Sequence, residues 1–338
     1  MIRLVAKGHT ITLFSSKSPN NPETECLDGI NIIRRGGKYS VYKKAREYSA
    51  SNKGKYDLIV DEVNARPFLR PDLVNGTPVL ALFHQLIKEE WFYETSFPLN
   101  YLCCYFLEKR WLLPYRDTPT VTVSPSSMQD LISLGYSQLY LVPNGINIGP
   151  LSKLALKEAV PTIVFIGRLK KHKLPHHALE AFQIIKRTFR DSKMWIIGDG
   201  EMKASLERRI PKDVFFFGRV SELVKYDLLS RAHLVLMPSV REGWGLVVTE
   251  ANAMGTPVIG YNVPGLRDSI QDRKTGILSE FNSPSDMANH AIHLLNNQNL
   301  LENYSYEALN YSKKFSWEKS GEEFDHIAVN VVNSHQKK

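Results

Sequence analysis

Two glutamates eight positions apart, Glu242 and Glu250, carry the strongest chemical signal in this sequence of 338 residues. They stand in the run Arg241-Glu242-Gly243-Trp244-Gly245-Leu246-Val247-Val248-Thr249-Glu250, which continues into Ala251-Asn252-Ala253-Met254-Gly255. Gly243 and Gly245 let backbone N–H groups approach a ligand closely, and a helix opening just beyond them turns its positive end toward an anion. Glu242 then belongs to the loop and Glu250 to the helix, an arrangement in which both can face one cleft. A carboxylate suits a sugar diol, because its two oxygens accept two hydroxyl protons side by side.

Cations stand where such an anion would need them. The apolar run 162–166 ends in Gly167-Arg168-Leu169, and Lys173 follows five positions after Arg168. A glycine at the carboxyl end of a strand, followed by cations and a helix, is where doubly wound folds place phosphates. Arg168 offers a planar fork for two oxygens and Lys173 a point charge. Lys170, Lys171 and Lys173 also form a run of the kind that coats a solvated face. Gly198 and Gly200 close the next strand, Gly218, Arg219 and Val220 the one after, and His84 follows the run 79–83. Ser124, just ahead of Pro125, reads as a helix cap.

The elements that must hold these residues alternate regularly in the second half. Apolar runs at 162–166, 194–197, 214–217, 234–237 and 257–260 read as buried strands, separated by amphipathic stretches such as 174–189 and 221–231. Continuous apolar strands joined by helices indicate a parallel sheet covered on both faces. The first half has the same grammar less regularly, with candidate strands at 11–14, 30–34, 57–60, 79–83, 121–124 and 140–142. Two domains result, 1–148 and 160–315, joined by a linker at 149–160 and followed by a last helix over 316–334.

Composition excludes several classes. No apolar run reaches the ~18 residues of a membrane-spanning helix, and the N-terminus lacks a signal-peptide pattern. Cys26, Cys103 and Cys104 form neither a metal-ligand spacing nor a disulfide framework, which fits a reducing, cytoplasmic setting and no bound metal. A net charge of +8 favours anionic ligands, but no basic stripe interleaved with aromatics suggests nucleic acid. The stretch from Trp91 to Tyr115 is unusually aromatic and seasoned by Lys88, Lys109 and Arg110. It reads either as a core helix or as a membrane-facing one making peripheral contact with the cytoplasmic face.

The paired glutamates, with Arg168, Lys173 and the strand-end glycines, resemble the retaining glycosyltransferases of family 4. That family has the GT-B fold, an α/β architecture of two Rossmann-like doubly wound domains facing a cleft. The resemblance covers about residues 4–330 and is strongest over 160–278. It implies a metal-independent hexosyltransferase needing no cofactor beyond its donor substrate, a GDP- or UDP-linked sugar, and acting on a glycan or lipid-linked glycan. By resemblance, Arg168 and Lys173 hold the diphosphate, Glu250 the ribose hydroxyls and Glu242 the donor sugar. The amides of Gly243, Trp244, Gly245 and Leu246 would lie where sugar and diphosphate meet. Gly167, Gly198 and the backbone of Gly218, Arg219 and Val220 would border the nucleotide, and His84 would point to the sugar from the first domain. The last helix would cross back to complete that domain.

Two departures stand out. Family members usually carry glycine after the lysine, where this chain has Leu174. Residues 4–14 resemble the end of the family's first helix and its second strand, so the family's first strand and its glycine-rich loop are missing. That strand sits centrally in such a sheet, and its neighbours are expected to have unpaired ladders. Either the native chain starts upstream of Met1, or the protein is a catalytically weak, sugar-nucleotide-binding relative or partner subunit.

Overall fold

The computed structural model describes residues 1–338 except 70, 72, 73, 75, 209, 211 and 338. The chain divides into two compact units. One comprises Met1–Lys88 and Tyr101–Gly145 with the C-terminal helix Trp317–Gln336; the other comprises Glu89–Asn100 and Ile146–Ser316. Residues 89–100 thus belong with the second unit although they lie in the N-terminal half of the chain.

The first unit has seven strands among the described residues, β1 (Ile11–Ser15), β2 (Thr24–Leu27), β3 (Ile30–Arg34), β4 (Ile59–Val63), β5 (Val79–Phe83), β6 (Thr120–Thr122) and β7 (Leu139–Leu141). They form two sheets, ordered β1-β3-β2 and β4-β5-β6-β7. The second is parallel throughout, while β2 runs antiparallel to β3. β1 and β4 are each an edge of their sheet. Along β5 the side chains alternate between faces, as strand geometry demands. Val79, Ala81 and Phe83 join a core with Leu112, Tyr115, Leu131 and Tyr136, whereas Leu80 joins Val121, Val142 and Val331 of the C-terminal helix. β4 begins at Ile59 rather than at residue 57, and β6 stops at Thr122 because Ser124 turns out to cap the helix Pro125–Ser133.

The second unit holds one six-stranded sheet of β8 (Thr162–Ile166), β9 (Lys193–Ile197), β10 (Val214–Gly218), β11 (Leu234–Met237), β12 (Val258–Tyr261) and β13 (Gly276–Ser279). Its order is β10-β9-β8-β11-β12-β13, parallel at every pairing. That is the doubly wound order, with its switch point between β8 and β11, and ligands bind such sheets outside the carboxyl ends of the strands at that point. All five residues of β8 and all four of β11 are buried, which matches their uninterrupted apolar sequences.

Candidate functional site

Gly167 and Arg168 leave the carboxyl end of β8, while β11 ends at Met237 and leads to Glu242. The two strands are paired neighbours, so residues about seventy positions apart meet at the switch point. Lys173 donates to Glu242 Oε1 at 2.5 Å, and Ser239 Oγ donates to the same oxygen at 2.6 Å. Lys173 therefore does not belong to a solvated face: its side chain is 16% exposed and that of Glu242 12%. Arg168 beside it is exposed, leaving its guanidinium accessible to a ligand.

The loop carrying Glu242 is fixed from beneath. Glu242 N–H donates to the Pro264 carbonyl at 3.0 Å. At Gly265, which has φ +81°, a Cβ would fall 2.1 Å from the Glu242 carbonyl oxygen, so only glycine fits. Trp244 turns its side chain into the interior, edge-on to Phe315 at 5.3 Å between ring centres; it can offer a ligand its amide, not its indole. Gly245, with φ +86°, starts the helix Leu246–Ala253 and accepts the Val248 N–H at 2.8 Å, so the N–H groups of Leu246 and Val247 are the ones left for a ligand.

Glu250 lies on that helix and is 13% exposed. Lys225 Nζ donates to its Oε1 at 2.7 Å, and Tyr226 OH reaches the same atom at 3.5 Å. Burial raises the Glu250 pKa above the ordinary carboxylate value, opposed by the Lys225 ammonium. Burial works to lower Lys225 in turn, but the Glu250 carboxylate outweighs it and holds the ammonium above its usual range. Both glutamates thus share one design. On each, Oε1 is clamped by a lysine and a hydroxyl, while Oε2 receives no hydrogen bond among the described residues.

The strand-end glycines have a packing reason as well. Gly198 follows β9, and a Cβ there would stand 2.0 Å from the Gly167 carbonyl oxygen, so the ends of β8 and β9 come together only with glycine. Gly198 N–H in turn donates to the Gly218 carbonyl at 2.7 Å, tying in β10. Arg219 is exposed beyond it and Val220 half-buried. Leu174 adopts φ +47° and ψ +46°, the conformation glycine takes most easily, and is nonetheless buried. His84 lies in the other unit, at the end of β5, with Nε2 3.3 Å from Glu62 Oε1. The His84 proton lowers the Glu62 pKa, and Ser127 Oγ donates to the His84 carbonyl at 3.1 Å. Arg168, Lys173, Glu242 and Glu250 are therefore gathered on one sheet end, and His84 is held by its own unit.

Lys225, Ser239 and the carboxylates Glu89 and Glu94 carry no signal in the sequence. Glu94 takes Lys170 Nζ at 3.2 Å and approaches His172 Nδ1 at 2.9 Å, and Glu89 pairs with the buried Arg241 at 3.0 Å. These carboxylates brace the two cation-bearing loops from residues 89–94. The pairs span 76 to 152 positions, a distance that no local spacing rule reads.

Residues 151–311 match the family model described as glycosyl transferases group 1. Over 160 residues the chain is 30% identical to an uncharacterized glycosyltransferase of Methanocaldococcus jannaschii, covering 46% of this chain and 44% of that protein. A glycogen synthase of Mycobacterium tuberculosis is 28% identical over 189 residues, 53% of this chain and 44% of its own length. The matched region thus spans less than half the length of these relatives. Among solved structures, sucrose-phosphate synthase from Thermosynechococcus elongatus superposes with a TM-score of 0.77 at 19% identity, covering 98% of this chain and 91% of the other. Anabaena HepE in complex with UDP and glucose superposes at 0.68 and 15% identity, covering 96% and 100%.

Proposed function

We propose, for a chain whose residues 151–311 match the group 1 glycosyl transferases and whose fold is GT-B, a retaining transfer of a hexose from a nucleoside-diphosphate sugar to an acceptor hydroxyl. The observation that carries this reading is the pair of half-engaged glutamates. Each holds one oxygen against a lysine and leaves the other for a hydroxyl, and they flank the amide-rich turn before the helix Leu246–Ala253. Glu250 Oε2 takes the ribose diol, Glu242 Oε2 takes hydroxyls of the sugar, and the turn between them lies against the diphosphate. Crystals of HepE hold UDP and glucose, which supports a ligand of that kind here.

In the proposed reaction the bond between the anomeric carbon and the β-phosphate oxygen breaks, and its electron pair leaves with the phosphate. Arg168 and the helix amides meet that growing negative charge without reorganising, and they serve in place of a divalent ion. The acceptor oxygen attacks from the face the phosphate is leaving, and the departing phosphate oxygen takes the hydroxyl proton, so configuration is retained. The acceptor is a glycan or lipid-linked glycan, and the setting is cytoplasmic. No helix among the described residues is long and apolar enough to cross a membrane.

The test is release of nucleoside diphosphate from UDP- and GDP-hexoses in the presence of a chelator, with the anomeric proton of the product followed by NMR. Glu242→Gln is expected to lower turnover about 10- to 150-fold, the worth of one hydrogen bond to a charged acceptor, while nucleotide affinity stays near wild type. Absence of nucleotide binding with every donor would overturn the reading.

A further inference from the structure

The aromatic stretch that reads as either core or membrane-facing turns out to be divided between its two sides. Over 99–115 the chain is helical, passing through a π turn at Cys103–Leu107. One side is locked into the first unit. The Glu108 carboxylate accepts the Ile87 and Lys88 N–H groups at 2.6 and 2.9 Å, Leu112 and Tyr115 are fully buried, and the Tyr115 hydroxyl meets Asp61 and the Leu69 carbonyl. These anchors fix the rotation of the helix, so the opposite side cannot turn inward. That side presents Tyr101, Leu102, Tyr105 and Phe106, with Tyr105 60% and Phe106 67% exposed. Tyr101 and Tyr105 lie ring to ring at 6.1 Å, which makes the apolar surface continuous. Lys109 and Arg110 extend the same exposed side by one turn. The only acid between residues 99 and 116 is Glu108, and it is buried and engaged.

We propose that this face docks on an anionic lipid bilayer. Contiguous exposed apolar surface marks an interaction site, and the chemistry of this one favours lipid. Tyrosine places an apolar ring beside a polar tip, which suits the boundary between acyl chains and headgroups. Lysine and arginine at the border of the apolar patch, with no exposed acid among them, match negative headgroups. The docking is a property of the first unit and does not depend on the transfer reaction proposed above.

The experiment is co-sedimentation of the full chain with vesicles of phosphatidylglycerol and phosphatidylcholine, against phosphatidylcholine alone. Binding is expected to the anionic vesicles and to weaken at high salt. Lys109→Gln/Arg110→Gln is expected to reduce partitioning about 25-fold, near fivefold for each cation at the surface. Tyr105→Ser/Phe106→Ser is expected to reduce it more than tenfold with an unchanged unfolding midpoint, since neither side chain is part of the core. Wild-type protein left in the supernatant, or an aromatic variant that pellets as well as wild type, overturns the proposal. So does a dimer in analytical ultracentrifugation that the aromatic variant abolishes, which would assign the face to a second copy of the chain.

Discussion

Glu250→Gln tests the nucleotide site with the least collateral damage. Alanine would strand Lys225, which is only 17% exposed and donates to Glu250 at 2.7 Å. Removing one member of a buried ion pair costs about 3–5 kcal/mol, a loss of folding that would mask any loss of binding. Glutamine keeps the shape and an oxygen for Lys225, but it replaces the ligand-facing carboxylate oxygen with an amide that cannot accept a hydroxyl proton. One hydrogen bond to a charged acceptor is worth about 1.5–3 kcal/mol, so affinity for UDP or GDP is expected to fall about 10- to 150-fold. The assay is calorimetric titration with each nucleotide and its 2′,3′-dideoxy analogue. Wild type is expected to discriminate against the dideoxy form, and in Glu250→Gln that discrimination is expected to collapse toward unity. A variant that still distinguishes the two as well as wild type would refute the assignment. Acidity offers a second check. Because burial raises the Glu250 pKa, affinity is expected to decline at a higher pH than an ordinary glutamate would give. Stability of the free chain runs the other way: a raised folded-state pKa gives a contribution that is complete below the unfolded pKa and lost as pH rises through the folded one.

Three further outcomes are expected. Leu174→Gly relieves a left-handed residue, worth about 1–2 kcal/mol, but empties a buried site whose loss costs about 2–5 kcal/mol; urea titration is expected to show net destabilisation, and a stabilised variant would contradict the packing. Gly265→Ala forces a Cβ toward the Glu242 carbonyl, at 2.1 Å before any shift, and is expected to lower the unfolding midpoint and weaken donor binding together. Lys157 donates to the Ser230 and Gly255 carbonyls and Thr256, and burial brings its pKa down to about 7. The folded state therefore binds fewer protons than the unfolded one between about pH 7 and 10.5, so stability is expected to rise with pH across that window. In Lys157→Met the rise is expected to flatten, as read from midpoints at pH 6, 7.5 and 9.

What the sequence discloses depends on how local the physics is. β8 and β11 are legible because burial on both faces demands uninterrupted apolar runs, whereas β10, whose apolar run also reads as buried, lies at the sheet edge and leaves Phe215 and Phe217 exposed. Glu242 in a loop and Glu250 on a helix follow from the glycines between them. β2 is illegible because, at the edge of its sheet, it buries no residue and needs no apolar pattern. Lys225 is invisible because its partner is 25 positions away on another helix. The aromatic stretch is legible in composition but not in orientation. Glu108, a charged residue that satisfies two backbone amides, decides which side faces inward.

The division of the first unit into two sheets bears on where the molecule yields first. No residue before Ile30 is buried, and the opening helix Ile2–Ala6 and the turn after it meet the C-terminal helix through Arg3–Glu318, Lys7–Asp325 and His9–Asp325. Pairs of this kind at a surface contribute about 0–1 kcal/mol each and weaken with salt. No ladder is shared between β1 and β4 among the described residues, so side-chain packing rather than backbone hydrogen bonding ties the smaller sheet to the larger one. Amide protons of β1 and β2 are therefore the first to exchange with deuterium, well before those of β5. Limited proteolysis cuts ahead of Ile30 before it reaches either core, and added salt hastens both.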